Sequence, residues 1–308
     1  MTSSRFCVTI IFVYICYILT AFIWKNRQKF LFFTEGKKSV FCDFKAMGSF
    51  RPIRKEKRRE QARMGEVIVV ASGKGGTGKS SVSAGCAAAL ARAGNKVLLL
   101  DADAGLRSLD LMLGVVNDAV FDLGDVLAGN CEPVRAIRDI DRCEGLALMP
   151  APQSLQALAG PEDIRRLCRG LANYYDYLLI DAPAGVGKGF QIAAAAAGRA
   201  LVVITPDPVC MRSGERVARL LQQEGITDRR LIINRYRPGA LKLGLVEDLD
   251  AVIDAVGLQL IGVVPEDEQV QRYAANGEPL AGGSAAAKAM ERLSRRLMGQ
   301  EVPLIVEK

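Results

Sequence analysis

The sequence predicts an α/β fold, a doubly wound and mostly parallel sheet, behind an N-terminal extension of unlike composition. Short apolar runs rich in Val, Ile and Leu recur along the chain, as strands buried on both faces require. Helical patterns separate several of them, the alternation of a parallel sheet covered on both sides. Composition changes sharply near Met64. Residues 1–63 hold 14 Lys and Arg against 4 Asp and Glu, and 12 of the 19 aromatics, while the remainder holds 27 against 30. The formal charge of +7 therefore belongs to the extension, and a global basic-protein argument for nucleic-acid binding fails.

The extension carries an apolar run at residues 8–24, at the short end for a bilayer span, followed by Lys25, Arg27 and Lys29. As a membrane anchor it would leave the body in the cytoplasm. The preferred reading is an overextended start, because Met64 stands directly before the first predicted strand. Residues 51–63 form a charge run of the solvated kind. The expected division is thus an extension at 1–63, disordered or one helix, and one domain at 64–308. The chain has no histidine, which excludes Ser-His-Asp chemistry and His-ligated metals. Its eight cysteines form no C-x-x-C pair and read as reduced, buried thiols.

In the body, residues 66–71 form a β-branched strand. A Gly-rich loop follows, then an Ala-rich helix over 79–93 that ends at Gly94, where a left-handed residue costs least. Residues 96–100 give the next strand, which closes a βαβ unit. Further strands are predicted at 146–149, 177–180, 200–205, 231–234 and 260–264, with helices at 161–172, 211–223 and 246–255. Ligands of such sheets bind beyond the carboxyl ends of the strands.

A phosphate site lies at the first of those ends. Gly73-Lys74-Gly75-Gly76-Thr77-Gly78-Lys79-Ser80 matches G-x-x-x-x-G-K-[ST], between strand and helix. Glycines let backbone N–H groups close on an anion, and the helix N-terminus adds its positive end. Lys79 supplies charge to the β- and γ-phosphates of a nucleotide and Ser80 a hydroxyl to Mg²⁺; Ser81 follows on the first turn. Leu178-Leu179-Ile180-Asp181 is an apolar strand that ends in a carboxylate, the form that stands beside the metal. Together they predict a P-loop nucleotide hydrolase.

Lys74, a second lysine inside the loop, resembles the extra lysine of the deviant Walker A ATPases. Asp101-Ala102-Asp103-Ala104-Gly105-Leu106-Arg107-Ser108-Leu109-Asp110 resembles the switch I segment of one branch, the MinD family of septum-site-determining ATPases. Asp181-Ala182-Pro183-Ala184-Gly185 resembles its switch II, and Asn234-Arg235 and Pro265-Glu266-Asp267 its adenine-enclosing segments. The similarity covers residues 64–303. It implies an ATPase using ATP and Mg²⁺, with the loop from Gly73 to Ser81, Asn234, Arg235, Pro265, Glu266 and Asp267 on the nucleotide. Ser80, Asp101 and Asp181 would order the metal, and Asp103 would orient the attacking water. Lys74 would reach the nucleotide of a second subunit.

The implied protein is an ATP-dependent homodimer that is cytoplasmic and cycles to the inner face of the cell membrane. Its implied partners are a division inhibitor, an activating or topological factor and an anionic membrane surface, with no specific nucleic acid. Three departures stand out: Ser108 where Asn is usual, Gly187-Lys188 after switch II, and no long basic amphipathic helix at the C-terminus. The helical pattern at 284–298 reads as docking on the domain. The alternative is a related positioning ATPase for flagella or chromosome partition. An iron–sulfur carrier on the same scaffold is disfavoured by the absence of C-x-x-C.

Overall fold

The computed structural model describes residues 64–105, 107–115, 120–153, 160–237 and 248–306. The apolar run at 8–24, the charge run at 51–63 and Leu106 lie outside the described residues. Among the described residues no helix is long and apolar enough to cross a membrane.

The strands are β1 (Glu66–Ala71), β2 (Val97–Asp101), β3 (Arg138–Asp139), β4 (Leu146–Met149), β5 (Tyr177–Asp181), β6 (Arg199–Ile204), β7 (Asp228–Tyr236) and β8 (Gln259–Pro265). They form one sheet in the order β3-β4-β2-β5-β1-β6-β7-β8. Every pairing is parallel except the two-residue edge β3–β4. The helices are α1 (Lys79–Arg92), α2 (Ser108–Leu113), α3 (Leu123–Ala128), α4 (Pro133–Ala136), α5 (Pro161–Leu171), α6 (Lys188–Ala194), α7 (Pro208–Gln223), α8 (Leu249–Val256), α9 (Glu268–Ala275) and α10 (Ala285–Leu297).

The central strands β1, β2, β4, β5 and β6 are largely apolar because both faces are covered. In β1, Ile68 and Val70 pack with α1, α2 and α10, while Val69 and Ala71 pack with α5, α6, α7 and α8. Truncating a side chain buried in these layers, for example Leu90→Ala on α1, costs about 2–5 kcal/mol. Helix α1 is Ala-rich because it lies tight against the sheet and α10. A Cβ on Gly85 would stand 3.0 Å from the Met290 side chain. Gly94, with φ +90°, follows the α1 C-cap as expected.

Several boundaries differ from the sequence reading. Helix α7 begins at Pro208, three residues early, because proline is tolerated at the first helical position and Asp207 caps the helix through the Cys210 N–H. Strand β7 reaches back to Asp228. Its polar start is held by Arg199 and Arg230, which both pair with Asp228. Helix α8 starts after Asp248, whose carboxylate accepts the Ala251 N–H. Helix α10 docks as expected. Met290, Leu293 and Leu297 are buried, and Ser284 caps its start.

Candidate nucleotide site

Strands β2, β5 and β1 are neighbours, and their carboxyl ends supply most of the site. Asp101 and Asp181 are register partners at the ends of β2 and β5, so their carboxylates stand side by side. The loop from Gly73 to Gly78 leaves β1 and enters α1 at Lys79.

The loop glycines serve different ends. A Cβ on Gly75 or Gly76 would meet nothing within 4 Å, which leaves open space on the loop where phosphate oxygens would lie. Gly78 takes φ +81°, and a Cβ there would come within 2.3 Å of Asn234 Nδ2. That closeness has a structural cause, because Asn234 Nδ2 donates to the Thr77 carbonyl at 2.7 Å and ties the loop to β7. At Gly73 a Cβ would fall 2.5 Å from the Ser213 carbonyl oxygen, so α7 packs directly on the loop.

Lys79 is buried, and its Nζ donates to Asp181 Oδ2 at 2.8 Å. The Ser80 hydroxyl donates to the same oxygen at 2.7 Å. Ser81 sits half-buried beside them on α1. Asp101 Oδ1 accepts the Asp103 N–H at 2.9 Å. Asp101 Oδ2 and Thr77 Oγ1 are buried without a hydrogen-bond partner among the described residues. An orphaned buried carboxylate oxygen beside a hydroxyl and a second carboxylate is an all-oxygen donor set of the kind Mg²⁺ takes. The residues therefore fit the cation: Ser80, Asp101 and Asp181 would hold it, and the open loop would hold the phosphates.

Burial, with the Asp181 carboxylate close by, pushes Asp101 up to about 7. Burial also raises Asp103. Without nucleotide or metal, the folded protein thus keeps a proton on Asp101 between pH 3.8 and about 7 that the unfolded chain loses. Stability contributed by that proton falls as pH rises through this window. Asp101→Asn, unfolded thermally in EDTA, is expected to gain on the parent steadily from about pH 4 to about pH 7. A difference in stability that stays flat with pH would refute the assignment.

The other expected residues are placed as follows. Lys74 is exposed, and its charge acts on Asp207 at the start of α7. The switch I segment is anchored by Arg107, which has φ +44° and pairs with Asp110 at 2.9 Å. Arg235, with φ +53°, sits in an irregular stretch of the β7–β8 register and brings its guanidinium beside Gly78. Pro265 ends β8, and the Glu266 N–H donates to the Tyr236 carbonyl at 3.0 Å. The Glu266 carboxylate pairs with Arg237. Asp267 spends its two oxygens on the Gln269 and Ala286 amides at 2.9 and 3.0 Å, holding the starts of α9 and α10 together.

Two participants were missed from sequence. Arg237 closes the ends of β7 and β8 through Glu266. Ser83, buried, donates to Asp181 Oδ1 at 2.6 Å. Helical spacing offered a signal for it, since Ser83 is four residues after Lys79 and so on the same face of α1.

The sequence profile of the CobQ/CobB/MinD/ParA nucleotide binding domain matches residues 68–280. The septum site-determining protein MinD of Bacillus subtilis is 39% identical over 248 residues, which span 79% of this chain and 92% of that protein. The MinC:MinD cell division protein complex of Aquifex aeolicus superposes with a TM-score of 0.73 at 37% identity, over 79% of this chain and all 100% of that one. The MinD of Pyrococcus horikoshii, solved with Mg-ADP, gives 0.68 at 30% identity over 76% of this chain and 96% of its own. With the phosphate loop, the paired strand-end carboxylates and these relatives in agreement, the chain belongs to the MinD family of nucleotide-binding ATPases.

Proposed function

We propose that this protein is an ATP-switched homodimer that recruits a division inhibitor to an anionic membrane surface and releases it on hydrolysis. Its family makes it a Mg²⁺-dependent ATPase of septum-site determination. In this reading residues 64–308 are the ATPase domain and 1–63 an extension. The protein is cytoplasmic and visits the inner face of the cell membrane when ATP is bound. The relative solved with MinC supports an inhibitor as partner.

The observation that carries the dimer is the pair of lysines in one loop. Lys79 is buried against Asp181, whereas Lys74 is exposed. One lysine suffices for the phosphates of its own subunit. An exposed second lysine supports a role at the phosphates of a second copy.

Hydrolysis then follows from this chain's groups. Loop amides and Lys79 hold the phosphates, and the α1 N-terminus favours their charge. Bound Mg²⁺ neutralises charge that develops on the phosphate oxygens. Asp103 orients the attacking water. Asn234 and Arg235, at the end of β7, and the turn from Pro265 to Asp267 enclose the base.

Asp103→Ala should bind ATP without hydrolysing it. Light scattering is expected to give twice the monomer mass with ATP and the monomer mass with ADP. A monomer at saturating ATP would sink the dimer reading.

A further inference from the structure

The Asp181 carboxylate is held by three side chains on α1. Lys79 Nζ and Ser80 Oγ both sit on Oδ2, at 2.8 and 2.7 Å. Among the described residues, Ser83 Oγ is the one side-chain donor on Oδ1, at 2.6 Å. Asp181 and Ser83 are both fully buried. A serine inside a helix ordinarily turns its hydroxyl back to the carbonyl four residues earlier. Here that carbonyl, of Lys79, is 3.0 Å away. The hydroxyl has one proton, and the carboxylate is both closer and charged, at the separation typical of a charge-assisted O–H···O⁻ bond. The proton therefore goes to Asp181.

The three donors do not share one fate when nucleotide binds. Lys79 must turn from Asp181 towards the phosphates, and the Ser80 oxygen must face the cation. Both contacts on Oδ2 are remade in that step. Ser83 lies a full helical turn further into the core and reaches neither. A carboxylate torsion is broad and nearly two-fold, so a carboxylate released on one side is free to swing unless its other side is held.

We propose that Ser83 is a positioning residue for the metal site: its hydroxyl fixes Oδ1 of Asp181, so that Oδ2 stays turned to Ser80 while Lys79 exchanges partners. The inference rests on the nucleotide-site reading above. Groups that orient a metal-binding carboxylate are worth about 10–100-fold in metal affinity.

The test is calorimetric ADP binding to the full chain, with Mg²⁺ varied from none, in EDTA, to saturation. Ser83→Ala replaces the residue with a good helix former of smaller volume, and thermal melting checks that it folds. Its Mg²⁺ midpoint for tightening ADP binding is expected to rise about tenfold or more. Its ADP affinity in EDTA is expected to stay within about twofold of the parent. Ser83→Thr keeps the hydroxyl and is expected to retain the parent's midpoint. An unchanged midpoint in Ser83→Ala overturns the proposal. So does an equal loss with and without Mg²⁺, or an equal shift in the Thr variant, since either would trace the effect to packing. If the parent itself binds ADP no tighter with Mg²⁺, the reading of Ser80, Asp101 and Asp181 as the metal site falls first, and the proposal with it.

Discussion

Lys79→Ala is expected to stop hydrolysis and to lower the melting temperature, and Asp181→Asn added to it is expected to restore the stability without the activity. The two side chains form a buried ion pair at 2.8 Å, with relative exposures of 5% and 0%. Removing one partner of such a pair leaves an uncompensated buried charge and costs about 3–5 kcal/mol. Ser80 and Ser83 still donate to Asp181 in the variant, so the loss falls at the lower end. For a domain of this size each kcal/mol moves the melting temperature by about 2–4 °C, which predicts a drop on the order of 10 °C in EDTA. Neutralising Asp181 as well removes the stranded charge and recovers most of that drop. Hydrolysis does not return, because both the phosphate cation and a metal-side carboxylate are then gone. Losing one preorganised charge that faces the transition state costs about 10²–10³-fold. Phosphate release and thermal unfolding on the two variants check both parts. A single variant that melts with the parent would mean that the pair is solvated in solution.

This pair also shows which parts of the molecule the sequence could reveal. Lys79 belongs to a contiguous motif whose spacing encodes its geometry, and Asp181 ends an apolar strand, so both were legible. The central strands were legible for a related reason. Val97–Asp101 and Tyr177–Asp181 are buried on both faces, which leaves continuous apolar runs in the chain. Legibility failed where an element depends on distant partners. The polar start of β7, at Asp228, Arg229 and Arg230, reads as loop until Arg199 on β6 is seen to pair with Asp228. Helices α2, α3 and α4 span six residues or fewer, too short for a periodicity to register. Pro208 reads as a breaker, yet it opens α7. Ser83 shares the Lys79 face of α1, but it is 98 residues from the carboxylate it holds, so its partner is identified only when β5 lies alongside α1. The segment at Glu266 and Asp267 was located by resemblance, but nothing in the sequence announced that its carboxylates are engaged by Arg237 and by two helix starts.

Lys74→Ala is expected to leave the fold intact and to remove hydrolysis by a different route. The side chain is exposed, and surface substitutions of that kind stay within about 0.5 kcal/mol. Its melting temperature should match the parent, in contrast to Lys79→Ala. If Lys74 stabilises charge on a second subunit's phosphates, it acts as a cation supplied in trans, worth about 10³–10⁵-fold in turnover. A role in trans predicts complementation. In a mixed dimer of Lys74→Ala with Asp103→Ala, the first copy keeps its own Asp103 and receives Lys74 from the second. One of the two sites is then complete, while each variant alone has none. Random pairing of equal amounts in a two-fold dimer gives up to about a quarter of the parent's activity. Phosphate release from the mixture, against either variant alone, measures it directly. Should the mixture stay as inactive as its parts, Lys74 would serve the phosphates of its own subunit, and the two lysines of the loop would share one nucleotide.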